Sequence, residues 1–78
     1  MQIEDVRVFA WIVASGSLSR TAREQSLPKA TLSHRLRRLE KDVRAVLLTR
    51  SGSGLVPTEA GRTFLKHAQA VELAYTRA

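Results

Sequence analysis

Lys29, Ser33, His34 and Arg37 recur at steps of four, one and three, with Ala30 and Thr31 beside the first of them. On a helix this spacing places cations and hydrogen-bonding groups along one side. Lys29 can donate to guanine O6 or N7, and Ala30 can meet a thymine methyl. Ser33 and His34 can bond bases or phosphates, and Arg37 can reach a base edge or hold a phosphate. Arg38 and Lys41 extend the basic side, where a plain solvated helix face explains them equally well. The charge of His34 changes near neutrality, so a pH-sensitive contact stands beside a neutral hydrogen bond as its reading. The chemistry offered is recognition of a polyanion, and double-stranded DNA is the polyanion that also carries readable base edges.

These residues need a helix held from behind. Leu32, Leu36, Leu39 and Val43 recur at steps of four, three and four and supply the apolar stripe of a helix over about 29–43. Pro28 suits its start, since proline fits a first turn whose N–H groups are unpaired. Upstream, residues from about Ile3 to Ala14 read as a first helix with Val6, Phe9, Ile12 and Val13 inward. Glu4 and Asp5 lie at its positive dipole end. Ser15-Gly16-Ser17 is a turn, with Gly16 left-handed and Ser17 capping a second helix from about Leu18 to Gln25. Leu18 and Ala22 point inward there. Ser17 and Ser19 stand where free helix N–H groups face a phosphate, although capping alone would account for Ser17.

Val46–Arg50 and Leu55–Pro57 read as short strands around the turn Ser51-Gly52-Ser53-Gly54, forming a small wing. Arg50, Ser51 and Ser53 are its candidates for contact with DNA. Thr58 then caps a last helix that runs to the end of the chain. Phe64, Ala68, Val71, Tyr75 and Ala78 make a heptad-like seam along it, longer than a three-helix core could cover. Either the seam is bare or a second copy covers it, which makes Phe64, Ala68, Val71 and Tyr75 dimerisation candidates. Trp11 lies off the Phe9 stripe, so it meets the partner's last helix or is partly buried within its own domain.

The bulk numbers agree. The chain has 78 residues and a net charge of +6. Nine of its 13 basic residues fall between Arg20 and Arg50, against Glu24, Glu40 and Asp42, so this span carries the whole excess. There is no cysteine, and His34 and His67 are isolated, so no metal site and no cofactor are expected. Grouped carboxylates and a phosphate-binding glycine loop are lacking, so no catalytic residue is assigned and an enzyme is disfavoured. A protein-interaction module, with the basic face serving solubility alone, is the rival class. No apolar run reaches the ~18 residues of a membrane span, and the start lacks signal-peptide character, so a cytoplasmic location without membrane contact is expected.

The ordered motifs resemble a known family. Phe9, Gly16-Ser17-Leu18 with Ala22, Leu32-Ser33, Leu39-Glu40, Leu47-Leu48 with Arg50, and Thr58-Glu59-Ala60-Gly61 are similar, in order and spacing, to the N-terminal DNA-binding domain of bacterial LysR-type transcriptional regulators. The resemblance implies a mainly α fold: a winged helix-turn-helix over 1–57, with a three-helix core and a two-stranded wing, then a linker and dimerisation helix over 58–78. It implies operator binding, control of transcription and a homodimer through the linker helix, with higher oligomers open to full-length members. In those members an effector domain follows; it is absent from these residues, as in a truncated chain or a naturally short relative. The family often begins its recognition helix Ser-Gln-Pro-Ala, where this chain has Pro28-Lys29-Ala30-Thr31.

Overall fold

The computed structural model describes residues 1–77; Ala78, the last seam position, lies outside the described residues. The elements are α1 (Ile3–Ser15), α2 (Leu18–Gln25), α3 (Lys29–Val43), β1 (Leu48–Ser51), β2 (Gly54–Pro57) and α4 (Glu59–Arg77). This is a winged helix-turn-helix followed by a long helix.

Local chemistry bounds the helices at Gly16, Ser17 and Thr58, as the sequence indicates. Gly16 takes φ 73° after α1, a conformation glycine adopts without a Cβ penalty. The Ser17 hydroxyl accepts from the Arg20 N–H at 3.1 Å and caps α2. Ser26 and Arg44 close α2 and α3 in left-handed conformations, which neither residue type announces. Thr58 accepts from the Gly61 N–H at 3.0 Å and caps α4.

The core gathers one stripe from each long helix. Val6, Val8, Phe9 and Ile12 of α1, Leu32 and Leu39 of α3, Leu47 and Leu48 before and in β1, and Ala68 of α4 are buried. Leu36 and Val43 pack at its edge, as do Val13, Leu18 and Ala22. On α1 the buried set is therefore 5, 6, 8, 9 and 12, which adds Asp5 and Val8 and moves Val13 to the rim. On α2 the fully buried residue is Thr21, whose hydroxyl satisfies itself on the Ser17 carbonyl at 2.9 Å and beside Ser15 Oγ at 2.7 Å.

β1 starts two residues later than the sequence suggests, and both strands reach one residue further into the turn. Val46 and Leu47 precede the strand, and Val46 is exposed. Leu48 pairs with Pro57 and Ser51 with Gly54, so the tight turn is Gly52-Ser53. Two glycines seat it. Gly54 has φ 124°, and a Cβ there would lie 2.4 Å from the Gly16 carbonyl oxygen, which accepts the Leu55 N–H at 3.0 Å. A Cβ on Gly61 would lie 2.1 Å from the Leu47 oxygen, which accepts the Thr58 N–H. Glu40 completes the frame by accepting the Leu47 N–H at 2.7 Å.

The first part of the α4 seam, Phe64 to Val71, faces its own domain. Ala68 is fully buried, Phe64 meets Phe9 edge-on at 5.9 Å between ring centroids, and Val71 packs on the core. The expectation that three helices could not cover this seam holds in part: Phe64, Ala68 and Val71 pack on the core of their own chain, whereas Tyr75 is half-exposed. Phe64, Ala68 and Val71 are thus core residues before they are anything else. Trp11 is also engaged within its own chain, donating its indole N–H to Glu72 of α4.

Candidate nucleic-acid interface

The outward side of α3 carries Lys29, Ala30, His34, Arg37 and Lys41 exposed, with Thr31 and Ser33 half-buried on its flanks. The leucine stripe fixes this orientation, since Leu32 and Leu39 occupy the opposite side at zero exposure. The sequence expectation for these seven positions and the observed geometry agree on which way they point.

Arg38 is different, and its placement is a correction. It is ion-paired to α1, with 38% of its side chain exposed, whereas its neighbour Arg37 is exposed and unpaired among the described residues. Its Nε and Nη2 donate to the two carboxylate oxygens of Asp5 at 2.7 and 2.8 Å, and Nη2 also reaches Glu4 at 3.2 Å. Asp5 has no exposure at all. Such a carboxylate requires a cation in bidentate geometry, and Arg38 provides it. The hydrogen bond to Asp5, ahead of opposing desolvation and the attraction of Asp5 and Glu4, holds the guanidinium above its ordinary pKa. The successive arginines differ by about 100° of helix rotation, which sends Arg37 outward and Arg38 onto α1.

A concave groove of about 380 Å³ opens beside the start of α3. Ser17, Ser19, Lys29, Arg50 and Ser53 line it, so the turn before α2, the first residue of α3 and the wing converge on one space. Lys29 Nζ lies 3.3 Å from Ser19 Oγ and donates to it. Thr31, Ser33, His34 and Arg37 lie outside this groove, along the helix. Ser51 does not line it either. Its hydroxyl accepts the Ser53 N–H at 3.3 Å and donates to the Gly54 carbonyl at 3.4 Å, holding the wing turn together.

The electrostatics sharpen the division. Five of the seven acidic side chains are committed away from this surface: Glu4 and Asp5 to Arg38, Glu72 to Arg7 and Trp11, Asp42 to the N-terminal amine at 3.7 Å, and Glu40 to the Leu47 N–H. Among the described residues, Lys29, Arg37, Lys41 and Arg50 form no ion pair. Their field is therefore left to an external anion, with the α2 N-terminus adding its dipole. Sequence reading missed Asp5, Thr21, Glu40 and Gly54 as the groups that set this surface. An acid inside the α1 stripe was the available signal for Asp5, and the Ser-Gly-Ser-Gly run for Gly54.

The comparisons with known proteins follow the same outline. The model for "Bacterial regulatory helix-turn-helix protein, lysR family" matches residues 3–62. The iron-regulated virulence regulatory protein IrgB of Vibrio cholerae is 40% identical over 70 residues, 88% of this chain and 24% of that protein. The small neutral protease regulatory protein of Streptomyces coelicolor is 36% identical over 69 residues, 88% of this chain and 21% of that protein. The chain thus spans less than a quarter of the length of these two relatives. Among solved structures, the DNA-binding domain of CbnR in complex with DNA superposes with a TM-score of 0.87 at 26% identity, covering 99% of this chain and 88% of that one. Full-length CbnR, a LysR family transcriptional regulator, gives 0.90 at 26% identity, covering 99% of this chain and 27% of that one.

Proposed function

The chain belongs to the lysR family of bacterial regulatory helix-turn-helix proteins, and from that premise we propose that it is the sequence-specific DNA-binding module of a transcriptional regulator. The observation that carries the reading is the outer side of α3, where Lys29, His34, Arg37 and Lys41 stand exposed with no carboxylate paired to the lysines or Arg37 among the described residues. An α-helix fits the major groove, where each base pair offers a distinct set of donors and acceptors. Lys29 and Ala30, with Ser33 and His34 behind them, read base edges. Arg37, further along, holds a phosphate. Ser17, Ser19, Arg50 and Ser53 contact the backbone from their shared groove, which fixes register without reading sequence. Thr31 and Ser51 serve the same surface from its flanks. Arg38 is withdrawn from the contact set.

The division of labour follows the elements: residues 1–57 hold the DNA, and α4 joins two copies. The partner is a second copy because α4 presents Leu73 and Tyr75 half-exposed beside a groove of about 390 Å³ between α1 and α4. Trp11 and Leu73 line that groove, while Phe64, Ala68 and Val71 pack on the core of their own chain. The relatives are regulatory proteins by name, which favours binding over catalysis. No helix among the described residues is long and apolar enough to cross a membrane.

Selection of bound duplexes from a random pool tests the reading. An enriched motif with two-fold symmetry is the expected result, since a symmetric dimer presents its recognition helices to two inverted half-sites. Recovery of sequences no different from the input pool would overturn it.

A further inference from the structure

Four side chains from α1 and α4 meet at one point. The Arg7 guanidinium of α1 stacks 3.7 Å from the Tyr75 ring centroid and 4.8 Å from that of Trp11. Its Nε donates to Glu72 Oε1 at 2.7 Å, and the other Glu72 oxygen accepts the Trp11 indole N–H. Arg7 and Trp11 are one turn apart on α1; Glu72 and Tyr75 are one turn apart on α4. Both Glu72 carboxylate oxygens are used, and the arginine–glutamate pair is largely shielded, at 20% and 24% exposure.

The position of this knot gives it a consequence. The core grips α4 through Gly61, Phe64, Ala68 and Val71, of which Ala68 is the last fully buried. Beyond Ala68 the residues are exposed except Val71 and Glu72. The nine residues from 69 to 77 extend roughly 13 Å at 1.5 Å per residue. A tilt of about 15° around Ala68 would carry the end of α4 sideways by roughly 3.5 Å, about one base-pair step. We infer that the Arg7–Trp11–Glu72–Tyr75 cluster is a clamp that sets the direction of α4, and through it the separation at which a dimer accepts two half-sites. This rests on the DNA-binding and dimer reading above. Arg7 is a positioning residue: it touches neither the groove at α3 nor the start of α2, and it acts through the aromatic faces and Glu72.

The test uses duplexes that carry the selected half-site either once or as inverted repeats, with the spacer lengthened or shortened by single base pairs. The wild-type chain is expected to favour one spacer. Arg7→Met keeps an apolar stem under the rings but removes the charge and the planar face. It should bind the single half-site within about twofold of wild type while its preference for the best spacer falls roughly three- to tenfold, the scale of lost cation–π and ion-pair contacts. Arg7→Lys, which keeps the charge opposite Glu72 without the planar fork, should fall between the two. A weakening of single and paired sites alike, or an unchanged spacer profile in a folded Arg7→Met, would overturn the clamp. If Arg7→Met does not fold, Arg7→Lys decides by the same comparison. Absence of any enriched motif for the wild-type chain would overturn the DNA reading and the clamp together, whereas an unchanged spacer profile removes the clamp alone.

Discussion

Arg38 of α3 grips both oxygens of Asp5 of α1, a carboxylate with no exposure, at 2.7 and 2.8 Å. Its neighbour Arg37 is exposed and forms no ion pair among the described residues. The two arginines should therefore separate in experiment. Arg38→Ala leaves a buried carboxylate without its cation, so thermal melting should fall well below that of Arg37→Ala. Arg37→Ala should instead weaken DNA binding and reduce its salt slope by about one. Melting curves and affinities at several salt concentrations read the crossover; equal effects of both variants on both measurements would contradict it.

Lys29 opens α3 at the rim of the groove shared with Ser19 and Arg50. Replacing it by alanine should relax preference at one base position, by about 1–3 kcal/mol, and leave the other positions intact. The check is a second selection with the variant. An identical motif for both proteins would move Lys29 from base reading to backbone contact.

Because Phe64 packs on Phe9, a charge at Phe64 would disturb the core as well as any dimer. Leu73 is half-exposed at the edge of α4 and separates the two effects. Leu73→Glu should shift sedimentation toward monomer while its melting curve stays within about 0.5 kcal/mol of wild type, as for a surface substitution. Unchanged sedimentation would place the dimer contact elsewhere.

Phe9 has zero exposure and touches α4 through Phe64. Phe9→Ala should cost about 3–5 kcal/mol, most of the stability a domain of this size commands. Denaturant titration should show little folded protein left, and a midpoint near that of wild type would argue against Phe9 as the centre of the core.

The glycines divide sharply. At Gly54 and Gly61 a Cβ would meet the carbonyl oxygens of Gly16 and Leu47 at 2.4 and 2.1 Å, whereas at Gly52 it meets nothing within 4 Å. Gly54→Ala should cost about 1–3 kcal/mol through strain at its positive φ, and it should weaken DNA binding because the wing moves. Gly61→Ala should also destabilise, by shifting the start of α4. Gly52→Ala should stay within about 0.5 kcal/mol. The three variants compared by melting and DNA titration settle the ranking.

Much of this was legible in the sequence because it is local. The stop at Gly16, the caps at Ser17 and Thr58, the start of α3 after Pro28 and the leucine stripe each depend on residues within a turn or two. The ordered motifs named the family for the same reason, since their spacing is a property of the chain. The outward direction of Lys29, Ala30, His34 and Arg37 followed from the stripe behind them.

Three features were decided only by the fold. Arg37 and Arg38 are adjacent cations, and nothing in their types says which meets the protein; the place of Asp5 on α1 decides it. The seam of Phe64, Ala68 and Val71 announces burial without saying against what, because an apolar stripe has no address. The path of α4 back along α1 supplies one within the same chain. Trp11 likewise found its partner in Glu72, 61 residues away. Helical periodicity records which residues share a side, and the sequence by itself determined those sides. Which side meets which is a long-range packing choice, set by how four apolar stripes close on one core, and only the tertiary structure decides that.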